Sequence, residues 1–185
     1  GEFISFDGCG VVGTNIAGGF KLRSRHSSLS NCWVRNSEGS GLTGEDGIRL
    51  SDDAHFCLIS DCQVVDCGQN GIRFDSGSLQ DCMIRNCYIE NSTLNGIDLT
   101  AGSDGTTIIG CVIKNCLQDG IAVSDSDNMT INNNVIKNNG AYGIDFTSGN
   151  CTNEIIVANR FTGNATAAVR NGGQTGEIKS SNSGY

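Results

Sequence analysis

The chain has 185 residues, with 26 glycines, ten cysteines, no proline and a formal net charge of −8. This length fits a single domain with a continuous core, and the negative charge argues against nucleic acid and anionic membranes as partners. No apolar run approaches the length of a membrane-spanning helix, so the sequence predicts no membrane partner.

Residues 1–18 combine a short alternating stretch, Phe3-Ile4-Ser5-Phe6, with glycine-rich turns. We interpret them as an irregular N-terminal coil that caps the repeats that follow, because an uncovered end would expose unpaired strands. The chain begins without methionine, which favours a fragment or a processed product. Flanking domains of a longer chain are therefore candidate partners.

Residues 19–170 repeat a short unit that begins with glycine and continues with apolar residues at alternate positions. Successive glycines lie 24, 25, 24 and 23 residues apart, and a weaker copy begins 28 residues before the first of them. A period of this size is typical of an array in which each repeat buries its face against its neighbours. The units are Gly19-Phe20-Lys21-Leu22, Gly47-Ile48-Arg49-Leu50, Gly71-Ile72-Arg73-Phe74, Gly96-Ile97-Asp98-Leu99, Gly120-Ile121-Ala122-Val123 and Gly143-Ile144-Asp145-Phe146.

A second unit lies midway between these glycines, and a third apolar pair lies just before it. Both have the period-two alternation that a strand requires, and the Asn, Asp and Gly residues between them tolerate the left-handed backbone of tight corners. Each repeat therefore contains three short strands. The second units are Asn31-Cys32-Trp33-Val34, Asp61-Cys62-Gln63-Val64, Asn86-Cys87-Tyr88-Ile89, Gly110-Cys111-Val112-Ile113 and Asn133-Asn134-Val135-Ile136, and the pairs include Leu58-Ile59, Met83-Ile84 and Ile108-Ile109.

Three strands in about 24 residues predict an all-β solenoid, a single-stranded right-handed parallel β-helix of about six to seven coils. A propeller blade would need four strands and about 40 residues, and the spacing of a leucine-rich repeat is absent. The lack of proline agrees with this fold, because proline would remove a hydrogen-bond donor from almost any coil.

The blocks Asn95-Gly96-Ile97-Asp98-Leu99 and Asn86-Cys87-Tyr88-Ile89 resemble the repeats of the pectate-lyase-like superfamily, and the resemblance covers roughly residues 15–170. It implies a parallel β-helix but leaves the function open. That superfamily includes polysaccharide lyases, polygalacturonases, alginate epimerases, phage tailspikes and non-enzymatic surface proteins. Residues 171–185 are a polar tail that we interpret as a C-terminal cap, and the closing coils resemble those of phage and bacterial β-helix appendage proteins.

Most of the cysteines align in columns of the repeat, where small polarizable side chains pack well on consecutive coils. We predict a ladder of mostly reduced thiols, and several disulfides are the alternative for a secreted chain. The chain has no Cys-x-x-Cys motif and only two histidines, which argues against zinc. The predicted structural ladder consists of Cys32, Cys62, Cys87, Cys111 and Asn134 in one column and Cys57 and Cys82 in a second.

The outward residues of the glycine-led strands supply the candidate catalytic group. The resemblance to lyases implies that carboxylates hold Ca²⁺ and that an arginine acts as base. Arg73, Asp75 and Asp98 are then the catalytic candidates and the two aspartates the metal ligands, with no other cofactor expected. The alternative is an exposed ion pair between Arg73 and Asp98, worth under roughly 1 kcal/mol.

Trp33 and Tyr88 occupy equivalent outward positions of the second unit, separated by Gln63. Each could hold a sugar ring, which makes them candidate ligand-binding residues for a polysaccharide. They could equally form the contact of a homo-oligomer, with a trimer favoured, because Trp and Tyr are enriched at protein interfaces.

We interpret the chain as a non-catalytic structural or recognition module of a phage virion appendage or a microbial surface protein, with glycan binding as an open role. Its location would be the virion, the extracellular space or the cell surface. The predicted loops are short, and the Gly-His-Gly, Arg-x-Lys and Asp-Pro-His-Asp motifs of related enzymes are absent. The alternative is a calcium-dependent polysaccharide lyase or a related uronate-acting enzyme.

Overall fold

A computed structural model of the chain describes residues 3–13, 18–37, 45–75, 79–99, 102–147, 150–172 and 183. These residues form strands and turns without a helix, so none of them belongs to a helix that could cross a membrane. The strands in chain order are β1 Ser5–Asp7, β2 Gly10–Val12, β3 Phe20–Leu22, β4 Ser28–Ser30, β5 Trp33–Ser37, β6 Ile48–Leu50, β7 Leu58–Ser60, β8 Gln63–Cys67, β9 Ile72–Phe74, β10 Met83–Arg85, β11 Tyr88–Ser92, β12 Ile97–Leu99, β13 Thr107–Ile109, β14 Val112–Lys114, β15 Ile121–Val123, β16 Thr130–Asn132, β17 Val135–Lys137, β18 Tyr142–Phe146, β19 Ile155–Val157, β20 Arg160–Thr162 and β21 Ala167–Arg170.

Three parallel sheets run the length of the molecule, and each coil contributes one strand to each sheet. Sheet A contains β1 and every third strand to β19, sheet B contains β2 to β20 in the same way, and sheet C contains β3 to β21. Within the described residues each sheet has seven strands. This arrangement confirms the predicted parallel β-helix with three short strands per coil.

The core lies inside this coil and is built from aliphatic columns in register. Ile59 pairs with Ile84 in sheet A, and Ile89 pairs with Ile113 in sheet B. Sheet C turns two residues of each strand inward, as Ile97 and Leu99 show. Such side chains are fully buried, and each contributes about 1.5–3 kcal/mol through the hydrophobic effect.

The corner between sheets A and B depends on a residue with positive φ followed by a small buried one. Asn31, Asp61 and Asn86 have φ between 53° and 56°. The Sγ of the following cysteine donates to the carbonyl two residues back, at 3.1 Å from Cys32 and 3.2 Å from Cys62. The thiol thus bonds to the backbone of its own corner.

Asparagine replaces cysteine in the same corner further along the chain. Asn134 Oδ1 accepts a bond from the backbone N–H of Cys111 at 2.8 Å, and its Nδ2 donates to the carbonyl of Ile108 at 3.1 Å. All ten cysteines are free thiols in the structure. The residues of both predicted columns are buried. Those at this corner are Cys32, Cys62, Cys87, Cys111 and Asn134, whereas Cys57 and Cys82 lie just before β7 and β10, at the corner between sheets C and A.

The repeating glycine marks the point where the chain leaves sheet B and passes close to its side chains. A Cβ atom added to Gly120 would lie 2.5 Å from Ile136 Cγ2 and 2.6 Å from the carbonyl oxygen of Gly143. Gly71 and Gly96 have the same kind of neighbours, an isoleucine of sheet B and the carbonyl of the next glycine. Glycine therefore recurs at this position of the repeat because the backbone lies too close to the core for a side chain to fit.

The regular coil begins before residue 19, the start predicted from the repeat. Residues 1–18 were expected to form an irregular cap, but β1 and β2 lie there and extend sheets A and B. Within this segment Phe6 packs against the core, whereas Phe3 is exposed. Of the predicted C-terminal cap, residues 171–185, most lies outside the described residues, and Ser183 bridges to Arg160 at the end of sheet B.

Candidate functional site

The outer face of sheet C carries a row of ionisable side chains from successive coils, interrupted at Ala122. The strand register aligns Arg49 with Arg73, Arg73 with Asp98, and Asp98 with Ala122. Lys21 precedes this group and Asp145 follows it. The row predicted from the repeat is therefore present, and its charges change sign along the helix axis.

Arg73 lies at the centre of a group of five side chains, here called the Arg73 cluster, made up of Asp46, Arg49, Arg73, Asp75 and Asp98. Its guanidinium lies 3.4 Å from the Asp75 carboxylate, 3.7 Å from that of Asp98 and 3.9 Å from that of Asp46. Arg49 also pairs with Asp75. The structure thus brings together the three catalytic candidates predicted from the sequence and adds two residues.

The cluster is half-buried, and this burial perturbs its carboxyl groups. Asp46 is only 2% exposed, and burial raises its pKa, although Asn70 donates to its Oδ1 from both the backbone and the side chain. Burial also raises the pKa of Asp98, against the opposing effect of Arg73. Both carboxyl groups therefore hold a proton to higher pH than an ordinary aspartate does.

Three buried polar atoms of the cluster have no hydrogen-bond partner among the described residues. They are Asp46 Oδ2, Arg49 Nε and Arg73 Nε. Buried polar groups in folded proteins are almost always hydrogen-bonded, so three such atoms at one place require an explanation. Two of them face an opposite charge, since Arg73 Nε lies 3.7 Å from the Asp98 carboxylate and Asp46 Oδ2 lies 3.9 Å from Nη1 of Arg73.

A second acidic pair lies further along the same face. Burial raises the pKa of Asp119, and a hydrogen bond with the Asp145 carboxyl contributes in the same direction. Arg170 pairs with Asp145, and its guanidinium lies 4.9 Å from the centre of the Tyr142 ring. Ala122 lies between the Arg73 cluster and this pair, so at that coil the row has only a methyl group in place of a charged side chain.

The positions of Asp75 and Asp98 do not favour the calcium site expected for them. Both carboxylates contact the guanidinium of Arg73, which occupies the space between them. In the part of the chain that the structure describes, no group of three or more His, Cys, Asp or Glu residues could hold a metal ion. A bound Ca²⁺ would have to displace the arginine.

A cavity of about 260 Å³ opens at the end of the row nearest β3. Lys21 and Arg49 contribute two positive charges to its wall, and Glu45 and Asp46 contribute two carboxyl groups. The cavity is continuous with the Arg73 cluster, since Asp46 and Arg49 belong to both.

The predicted ligand-binding aromatics lie on a different face, the outside of sheet B. Trp33 and Tyr88 both pair with Gln63 and are therefore two coils apart in one row. Trp33 is 39% exposed, whereas the ring of Tyr88 lies beneath Lys114, whose Nζ is 5.1 Å from its centre. Trp33 offers an open aromatic surface, and Tyr88 offers a covered one.

Several residues of the sheet C face were not predicted as site residues. Asp46 and Asp119 each precede a repeat glycine, and both carboxyl groups lie close enough to Asp98 to contribute to the rise in its pKa. Arg170 aligns with Asp145 in the register of sheet C, and counting along the repeat from Gly143 would have found it.

The fold and the sequence together identify the family of the chain. The family described as "Right handed beta helix region" matches residues 18–183, and the chain belongs to it. This confirms the right-handed parallel β-helix predicted from the repeat. A comparison with curated proteins found no significant match.

Solved structures of the same fold include enzymes and a phage protein. A mutant of the periplasmic alginate epimerase superposes with a TM-score of 0.75 at 17% identity, over 95% of this chain and 43% of that one. The mannuronan C-5 epimerase A-module of Azotobacter vinelandii gives 0.68 at 14% identity, over 96% and 58%. Tailspike protein 2 of an Escherichia coli O157:H7 bacteriophage gives 0.53 at 13% identity, over 86% and 31%. The chain thus spans about a third to just over half of these proteins, and the likeness concerns the fold.

Proposed function

We propose that this β-helix is a recognition module that binds a uronate-containing polysaccharide along the outer face of sheet C. The observation that carries the proposal is the Arg73 cluster, in which two guanidinium groups and three carboxyl groups lie together on this face. The side chains of Arg49, Arg73, Asp75 and Asp98 remain 22% to 31% exposed, so a ligand can reach them.

The chemistry of the row fits a chain of acidic sugars. Guanidinium groups pair with carboxylates in a planar, bidentate manner, and carboxylates accept bonds from sugar hydroxyls. Successive coils place these groups roughly 4.8 Å apart along the helix axis. A row from Lys21 to Arg170 therefore favours an extended polymer over a single sugar.

The similar solved structures support the choice of polymer. Two of them are epimerases named for alginate and for mannuronan, and a third is a phage tailspike. We place this chain in the same setting, as part of a virion appendage or an extracellular or surface protein. Assembly with copies of itself, in a trimer, belongs to this proposal.

The test is the affinity for defined polymers, measured by isothermal titration calorimetry with polymannuronate, polygalacturonate and an uncharged glucan. Wild-type protein is expected to bind a polyuronate, and Arg73→Ala to weaken that binding at least tenfold, or about 1.4 kcal/mol. The reason is that Arg73 is the central cation of the cluster.

Arg85→Ala is the matched control, because Arg85 is exposed on the outer face of sheet A, away from the cluster. It should bind as wild type does. Thermal unfolding of each variant verifies that the coil is intact. Equal polyuronate affinity of Arg73→Ala and wild type, or a preference of the wild type for the uncharged glucan, would overturn the proposal.

A second candidate function is chemistry on the bound uronate, and it is favoured by the raised pKa of Asp98. A carboxyl group whose pKa is raised by burial can serve as an acid or a base. The same mixtures are followed for ultraviolet absorbance of an unsaturated product, with and without a calcium chelator. Appearance of that product, and its loss in Asp98→Asn, would establish a lyase-type enzyme.

A further inference from the structure

The position of Trp33 depends on the residue beside it in the preceding coil. Trp33 pairs with Gly10 in sheet B, and a Cβ atom added to Gly10 would overlap the indole atoms Cε2, Cζ2 and Cδ2. The ring therefore lies across the backbone of β2, in the space that a side chain would fill. It is nevertheless 39% exposed, so one part is supported by the sheet and another faces outward.

Polar groups surround this supported ring on the side of the next coils. Nη2 of Arg35 donates to Gln63 Oε1 at 3.3 Å, which links two neighbouring coils. A depression of about 450 Å³ is lined by Val12, Trp33, Arg35 and Gln63. Val12 is 58% exposed and widens the apolar part of this surface.

The depression continues toward Tyr88 without a break. A second hollow of about 440 Å³ shares Arg35 and Gln63 with the first and ends at Tyr88 and Glu90. Glu90 accepts a bond from the Tyr88 hydroxyl at 2.5 Å and pairs with Lys114 at 3.0 Å. The hydrogen bond from Tyr88 is the main reason that the pKa of Glu90 is lowered. This end of the trough therefore presents a fixed, charged acceptor.

We propose that this trough on sheet B is a second glycan-binding site, separate from the sheet C face. The exposed part of the Trp33 ring stacks on the apolar face of a pyranose ring, and Arg35, Gln63 and Glu90 bond to its hydroxyls. An apolar surface with a few convergent polar groups is the usual character of a small-molecule site. The site is complete without the Arg73 cluster, so the inference holds whether or not sheet C binds a polymer.

The chain offers a direct readout, because Trp33 is its single tryptophan. Intrinsic fluorescence is titrated with two probes, a neutral β-linked glucose tetrasaccharide and a mannuronate tetrasaccharide. A saturable change in intensity or wavelength with either probe is expected, and it should persist in Arg73→Ala. The probe that produces the change identifies the charge class of the sugar.

Gly10→Ala tests whether binding requires the Trp33 ring in its position across β2, because the variant keeps the tryptophan but changes that position. The added methyl group would displace the indole, so this variant should bind at least tenfold more weakly while it retains Trp33. Gly8→Ala is the control, because a Cβ at Gly8 meets nothing within 4 Å, although its φ of +64° adds a backbone strain of roughly 1–2 kcal/mol. Its affinity should equal that of the wild type, and thermal unfolding checks that both variants fold.

Three results would overturn the proposal. The first is the absence of a saturable change with both probes. The second is a Trp33 spectrum that shifts with protein concentration together with a rise in mass by light scattering, which would assign the trough to a contact between copies of the chain. Wild-type affinity in Gly10→Ala would likewise refute the role of the supported ring.

Discussion

Replacing Gly120 by alanine is expected to destabilise the β-helix by at least about 3 kcal/mol, at the upper end of what overpacking costs. The new methyl group would lie 2.5 Å from Ile136 Cγ2 and 2.6 Å from the Gly143 carbonyl. The isoleucine is fully buried, and the carbonyl belongs to the next coil, which the ladder holds in place. Neither can withdraw without opening the contact between two coils.

Chemical denaturation followed by circular dichroism measures this loss. Gly13→Ala provides the contrast, because a Cβ there meets nothing within 4 Å although φ is +65°. Left-handed backbone costs a non-glycine residue roughly 1–2 kcal/mol, so Gly13→Ala should be the milder change. A Gly120→Ala protein as stable as Gly13→Ala would show that the coil spacing is softer than the structure indicates.

The stability of the protein is expected to fall as the pH rises from about 4.5 to about 8, because of Glu154. This side chain is 1% exposed, and burial raises its pKa to about 8, with Asp127 and Asp104 adding repulsion. One oxygen accepts a bond from the backbone N–H of Met129, and the other has no hydrogen-bond partner among the described residues. The folded state therefore prefers the neutral acid.

The sign follows from proton binding. In the folded state Glu154 holds its proton up to about pH 8, whereas the unfolded chain releases it near its ordinary value, so folding is disfavoured progressively between the two. The contribution reaches up to about 5 kcal/mol and levels off above the upper limit. Glu154→Gln keeps an acceptor for Met129 and removes the charge, so it should flatten this part of the stability profile.

Unfolding midpoints at a series of pH values between 4 and 9 check this expectation. Glu90→Gln is the contrast, since the pKa of Glu90 is lowered and its carboxylate contributes stability that is present at neutral pH. At pH 7, Glu90→Gln should be less stable than the wild type, whereas Glu154→Gln should be more stable than the wild type. Parallel pH profiles of wild type and Glu154→Gln would contradict the assignment.

The sequence repeat predicted the β-helical coil and the row of outward side chains on sheet C, because both follow from the spacing of the repeat glycines alone. A residue such as Arg73 must stack on Asp98 once the glycines at 71 and 96 are aligned. The pairing of Arg73 with Asp46 could not be predicted in this way. It joins a strand to a corner of the preceding coil, and it depends on how far the corner turns inward.

The aromatic side chains of sheet B also show what the sequence repeat could and could not predict. The sequence placed Trp33 and Tyr88 in one row, and the strand register agrees. The row alone could not reveal that Lys114 covers Tyr88 while Gly10 supports Trp33. Rotamers on an outer face are chosen by neighbours one coil away, and a short or missing side chain there decides where a long one can lie.

The buried thiols also allow local unfolding of the β-helix to be followed by chemical labelling. A cysteine reacts as the thiolate and only when a reagent reaches it. Hydrogen bonds between neighbouring thiols and burial raise the pKa of Cys62 and Cys82, and the pKa of Cys87 rises to about 12. These thiols are expected not to react with a labelling reagent until their coil separates from its neighbours. Since a solenoid opens in local units, the order in which Cys9, only partly buried, and the interior thiols become labelled would trace fraying along the axis, coil by coil.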